Sequence, residues 1–265
     1  MRRIATAVVL VPAVLAAVML APGWLFALLL LLLALQAARE FYALGRAAGL
    51  SPYLGLGLVL TGLQVLGLAW PWPARFGLAG LLAFVLAVLL HALARPEQLR
   101  TALADAAVTL LGALYLGLLL GVVGAIRLLP LGSAWLVFLL LVVWLGDTAA
   151  FYVGRAWGGR WWKRPMAPRV SPKKSWEGGL ASLAAAAVVG LGVAIWQGAP
   201  WLVPLAVVLN LAAQLGDLVE SLFKRSAQVK DSGALLPGHG GVLDRVDAML
   251  FAAPVLWCYL AFFHP

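Results

Sequence analysis

Asp217 and Ser221 lie four residues apart, with Glu220 between them, near the end of the apolar stretch NLAAQLGDLVESLFKR. On a helix this spacing puts Asp217 and Ser221 on one face with Glu220 adjoining. Two carboxylates and a hydroxyl form a candidate site for a hard cation such as Mg²⁺, which prefers oxygen ligands and keeps waters for a phosphate substrate. The alternative is that the acids pair with Lys224 and Arg225. Downstream, Lys230 and Asp231 lead to Pro237-Gly238-His239-Gly240-Gly241. Such backbone can approach a phosphate closely, although Pro and Gly also mark ordinary turns. His239 could donate to a phosphate or satisfy a loop carbonyl. Asp244 and Asp247 open the last helix, where acids also complement the helix dipole. Arg245, between them, offers a fork of donors to phosphate oxygens. Asp147 falls inside another apolar segment, where an acid is a functional candidate. RVSPKKSWEGG at 169–179 contributes Lys173, Lys174, Ser175 and Glu177; attraction to anionic lipid would account for the same basic loop. Metal-holding acids, cations and backbone donors are the inventory of phosphoryl transfer. The chain contains no Walker GxxxxGK[ST], no HExxH and no convincing GxSxG.

The elements that position these residues are read from hydropathy. Of 265 residues, 64% are hydrophobic and 11% charged, and mean hydropathy is +1.01. Soluble domains carry about 25% charged residues. Apolar runs recur from end to end, so the expected class is all-α, a polytopic integral membrane protein. No alternating ten-residue pattern favours an outer-membrane barrel. The predicted spans are 4–21, 24–44, 53–70, 76–94, 106–126, 134–154, 178–196, 201–222 and 246–263. Met1-Arg2-Arg3 and the following apolar run resemble a signal peptide. A second apolar run after only Pro22 and Gly23 favours an uncleaved first span. Pro12 is a candidate kink. Tryptophans near the predicted ends (Trp24, Trp70, Trp72, Trp135, Trp196, Trp201) fit an interfacial belt.

The net charge of +9 suggests the positive-inside bias of membrane proteins rather than a nucleic-acid partner. With the N-terminus in the cytosol and nine alternating spans, every Lys and Arg except Arg75 and Arg127 falls on the cytosolic side. Both long polar loops, 155–177 and 223–245, then face the cytosol. Cys258 is the only cysteine, so no disulfide or CxxC site can form within one chain. Residues 1–265 read as a single membrane domain. Within it 1–130, with Glu40, Glu97 and Asp105 near loop ends, is mainly scaffold, and 140–250 is the catalytic region.

Ser221-Leu222-Phe223-Lys224-Arg225, four residues on Lys230-Asp231-Ser232-Gly233, and then Leu236 through Asp247 (LPGHGGVLDRVD) resemble the signature of the phosphatidate cytidylyltransferase (CDP-diacylglycerol synthase) family. Asp147-Thr148, Gly154-Arg155 and Ser171 through Gly178 resemble its second region, with Ser175 where the family usually has Thr. The resemblance covers roughly the last 125 residues. It implies transfer of CMP from CTP to phosphatidate with release of pyrophosphate, in a homodimer in the cell's inner membrane. It also implies a paired-metal centre of Mg²⁺ with K⁺, with Asp217 and Asp244 as metal aspartates and Ser221 beside them. Lys173, Lys174, Lys224, Arg225, Lys230 and Arg245 are then expected as phosphate clamps, and His239, Gly240 and Gly241 as the lining of the triphosphate. A CDP-alcohol phosphatidyltransferase would need DGxxAR followed by GxxxD, which the chain lacks. A transporter would spread its polar residues at mid-membrane, whereas here they cluster at the predicted cytosolic edge.

Overall fold

The structure is a computed structural model that describes residues 2–70, 74–95, 99–235 and 240–263. It is helical, with no strand among the described residues. The helices are α1 (Arg2–Leu20), α2 (Gly23–Ala47), α3 (Leu54–Ala69), α4 (Ala74–Leu93), α5 (Ala102–Ala113), α6 (Leu119–Leu128), α7 (Gly132–Trp157), α8 (Trp176–Gln197), α9 (Leu202–Ser226) and α10 (Leu243–Phe263). A π-helical turn, Leu114–Leu118, joins α5 to α6. The predicted segment 106–126 is therefore one interrupted helical run. Pro12 sits inside α1, and α10 begins three residues before its predicted start at 246.

Six of these stretches are long and apolar enough to cross a membrane: α2, α5 through α6, and α7 to α10. Shorter apolar helices run over Val8–Leu20, Leu54–Ala69 and Gly77–Leu93. Leu82, Leu86, Leu90, Val188, Leu191 and Ile195 all point outward. Soluble monomers rarely expose contiguous apolar rows of this kind, so a lipid environment is their natural solvent.

The chain clusters into two compact units. The first comprises Met1–Ser133 and Phe223–Val246. Tyr42 of α2 wedges between α3 and α5 because Gly57 and Gly112 leave room for its ring, and its hydroxyl donates to the Thr109 carbonyl at 2.9 Å. Gly117, Gly121 and Gly124 repeat along one face and bring this run within van der Waals reach of the α3 backbone at Thr61, Val65 and Ala69. Small residues are what permit such close approach in lipid, where no hydrophobic force drives helices together.

The second unit comprises Ala134–Leu222 and Asp247–Pro265. A polar seam ties α7, α8 and α9: Ser182 donates to Asn210 Oδ1 at 3.0 Å, and Asn210 Nδ2 to the Val142 carbonyl at 3.3 Å. Gln214 Nε2 reaches Asn210 Oδ1 at 2.9 Å and the Gly179 carbonyl at 3.2 Å. Gly146 leaves space for the Asn210 amide, which any side chain there would displace. Such bonds contribute about 0.6–2 kcal/mol each in a membrane. They set the register of α9, and with it the direction of Asp217.

Candidate active site

In the second unit Asp217 and Glu220 of α9 and Asp247 of α10 converge, each offering an oxygen within 4.8 Å of the others. The cause is Gly216: a Cβ there would lie 2.5 Å from the Asp247 carbonyl oxygen and 3.2 Å from Phe251 Cβ. The backbones of α9 and α10 meet at that point, so the acids beside it are drawn together. Gly216→Ala is expected to destabilise by about 1–3 kcal/mol, because the clash is with backbone that cannot turn aside. Thermal unfolding in detergent measures it, and an unchanged midpoint would contradict the close approach.

Glu220 is fully buried. Ser221 Oγ lies 3.4 Å from Asp217 Oδ1, a long hydrogen bond, and the Ala248 amide donates to Asp247 Oδ1 at 2.8 Å. Three carboxylates this close repel one another unless positive charge intervenes. Lys174 supplies some, with Nζ 2.6 Å from Asp217 Oδ2. An all-oxygen, strongly anionic donor set fits a hard divalent cation.

Lys174 comes from a folded loop. Ser175 caps α8 by accepting from the Gly178 amide at 3.2 Å, and Glu177 Oε1 accepts from the Trp161 and Trp162 amides at 2.9 and 3.2 Å. Glu177 thus fastens the loop, a role separate from the carboxylate group. The Met166 amide donates to the Lys174 carbonyl at 2.8 Å, fixing the lysine's backbone. Beside it lies a cavity of about 180 Å³ lined by Gly154, Gly158, Lys163, Lys173, Lys174 and Ser175, among others. Three ammonium groups around glycine backbone suit a phosphate. Lys163 was not singled out from the sequence; its neighbourhood is formed by the Gly-Gly turn at 158–159, where Gly159 has φ +80°.

The first unit holds Asp244. Its Oδ1 accepts from Lys224 Nζ at 2.6 Å, and its Oδ2 from the Ser232 and Gly241 amides at 3.0 and 2.8 Å. The ion pair is nearly buried, with side chains 13% and 7% exposed. Lys224 is aimed by its neighbour Phe223, which stacks edge-on against Phe41 and Tyr115 at 5.5 and 5.6 Å. Gly240 has φ +77°, and a Cβ there would lie 2.5 Å from Asp244 Oδ2. The Gly241 N–H, an expected phosphate donor, is thus given to Asp244.

Asp217 belongs to one unit and Asp244 to the other. Asp147 and Lys173 in the second unit are exposed, as are Arg225, Lys230, Asp231 and Arg245 in the first. Arg225 Nη1 donates to the Val229 carbonyl at 3.3 Å. His239, with Pro237 and Gly238, lies outside the described residues, as does Glu97. Glu40, assigned to scaffold from the sequence, is buried at 6% exposure and accepts hydrogen bonds from Ser232, Val242 and Leu243. The signal that marked Asp147, an acid within an apolar helix, applied to Glu40 equally.

Residues 1–263 match the model of a family described as the cytidylyltransferase family. The chain belongs to that family. Its relatives include a phosphatidate cytidylyltransferase of Staphylococcus epidermidis, 35% identical over 90% of this chain and 91% of that one. Another, from Synechocystis sp., is 32% identical over 92% and 90%. A third, from Brucella suis, is 50% identical over 137 residues, which are 51% of this chain and 49% of the relative. The chain thus spans about half the length of the Brucella relatives it matches, and nearly all of the other two. As a cytidylyltransferase-family member it is matched across both units, so the resemblance seen in the last 125 residues extends to the N-terminal helices.

Proposed function

We propose that this chain transfers the cytidylyl group of CTP to phosphatidate, giving CDP-diacylglycerol and pyrophosphate. The observation carrying the proposal is the Asp217–Glu220–Asp247 carboxylate group with Lys174 upon it, in a chain of the cytidylyltransferase family. A phosphatidate oxygen attacks the α-phosphorus of CTP in line. The new P–O bond forms as the bond from the α-phosphorus to the bridging oxygen breaks, and pyrophosphate departs with that bond's electrons. The nucleophile is already an anion, so no general base or covalent serine is required.

The obstacle is the repulsion between two polyanions. Lys173, Lys174, Lys224, Arg225, Lys230 and Arg245 are proposed to clamp phosphates, with Lys163 and the glycines of the adjoining cavity accepting a phosphate group. Asp217, Glu220 and Asp247 would hold Mg²⁺, with Ser221 adjoining, and Asp244 is proposed as the further aspartate. Mg²⁺ bound there would screen phosphate charge and stabilise the leaving group. Asp147, Asp231, His239 and Gly240 are assigned to substrate binding by the motif resemblance.

The nine apolar segments are proposed to cross a cell inner membrane with the N-terminus and both polar loops in the cytosol, supported by the Lys and Arg asymmetry. A homodimer and a companion K⁺ are proposed on the resemblance. In mixed micelles, pyrophosphate release from CTP should require phosphatidate and Mg²⁺ and should stop on chelation. Release that proceeds equally without phosphatidate would contradict the assignment.

A further inference from the structure

We propose that Glu40 is a positioning residue for Asp244, acting from α2 through the Ser232 hydroxyl and the first amides of α10. The inference rests on the cytidylyl-transfer function proposed above. Glu40 meets four donors, two on each oxygen. Gln36 Nε2 and the Val242 amide donate to Oε1 at 3.1 and 3.0 Å, and the Leu243 amide and Ser232 Oγ to Oε2 at 2.8 and 3.1 Å. The opening amides of a helix lack partners inside it and are usually capped by the residue just before. Here the preceding residue is Val242, whose side chain has no acceptor. The cap arrives from a helix some 200 residues earlier in the chain.

Asp244 is the second residue of α10, so whatever fixes that first turn fixes its carboxylate. Ser232 makes a second link. Its amide and Oγ each lie 3.0 Å from Asp244 Oδ2, while the same Oγ is 3.1 Å from Glu40 Oε2. One hydroxyl proton serves one acceptor at a time, so each acid senses the other through Ser232. Contact is close because two glycines permit it. A Cβ at Gly233 would lie 2.9 Å from Glu40 Oε1, and one at Gly241 would collide with both the Glu40 carboxylate and the Ser232 hydroxyl. A simple cap would need only the amides of Val242 and Leu243. The Ser232 bridge and the glycine pair add a connection aimed at Asp244.

Glu40→Gln keeps the side chain's length but turns an amino group toward these donors. Wild type, Glu40→Gln, Ser232→Ala and the double variant are compared by the number of CTP-binding sites per chain and by kcat per CTP-binding site. Glu40→Gln should lower kcat per site about 30-fold and Ser232→Ala about tenfold, both within the roughly hundredfold that a 1 Å misplacement can cost. The double variant should fall little below Glu40→Gln alone, because the residues act in series. A role confined to folding would lower the number of sites and leave kcat per site unchanged; that result, or fully multiplicative losses, would overturn the proposal. Ser232→Ala removes one oxygen and decides the matter even if Glu40→Gln binds no CTP: kcat per site within about threefold of wild type overturns it. Wild type that binds CTP yet forms no CDP-diacylglycerol would remove the proposed function and this inference together. Active wild type with unaffected variants would remove the inference alone.

Discussion

Asp217→Asn is expected to cut CTP-dependent turnover at least about a thousandfold while the helical fold persists. The two halves of that expectation come from different magnitudes. The Asp217 side chain is 38% exposed and its Lys174 partner 27%. A partly exposed ion pair contributes only about 0–1 kcal/mol to stability, so the thermal midpoint should barely move. Asparagine is isosteric, and Ser221 retains an oxygen to meet. The charge, however, is lost from a carboxylate group drawn together where α9 and α10 touch. An amide binds a hard cation far less well than a carboxylate, and Lys174 loses the anion that orients it. Label incorporation, with circular dichroism as the folding control, measures both halves. Near-normal turnover would remove Asp217 from the site.

Lys224→Met should behave in the opposite way, damaging the fold as well as the chemistry. With side chains 13% and 7% exposed, Lys224 and Asp244 form a pair little screened by water. Removing the cation takes away the ammonium that lies 2.6 Å from Asp244 Oδ1 in a nearly buried setting, at a cost of about 3 kcal/mol. The thermal midpoint should fall by on the order of 10 °C. Adding Asp244→Asn removes the other member of the pair and should restore most of the lost stability, because replacing both members of a buried pair is often neutral. Turnover should stay lost in the double variant. Thermal melts and turnover on the single and double variants test this. A double variant as unstable as Lys224→Met would show that the pair does not behave as a buried one.

Much of this was visible in the chain. Long apolar runs located the helices to within a few residues, because hydrocarbon demands length and apolarity and little else. Asp217, Glu220 and Ser221 were legible from a spacing of three and four, which a helix converts directly into proximity. Motif resemblance marked Asp244 and Lys174 and their surroundings. What escaped was tertiary. Asp247 joins Asp217 and Glu220 because of the α9–α10 contact at Gly216, and no periodicity within either helix encodes that contact. Glu40 was legible as an acid inside an apolar span, but its partners were not, because they lie 192 to 203 positions away. The π-turn at Leu114–Leu118 interrupts a run whose hydropathy is unbroken, so composition carried no sign of it.

The most direct test uses CTP labelled at either the α- or the γ-phosphate, given with phosphatidate and Mg²⁺ to the purified protein. The α-label should enter the chloroform-soluble lipid, with one pyrophosphate released per lipid formed, and the γ-label should stay in the aqueous phase. Lipid carrying the γ-label, or no labelled lipid at all, would contradict cytidylyl transfer.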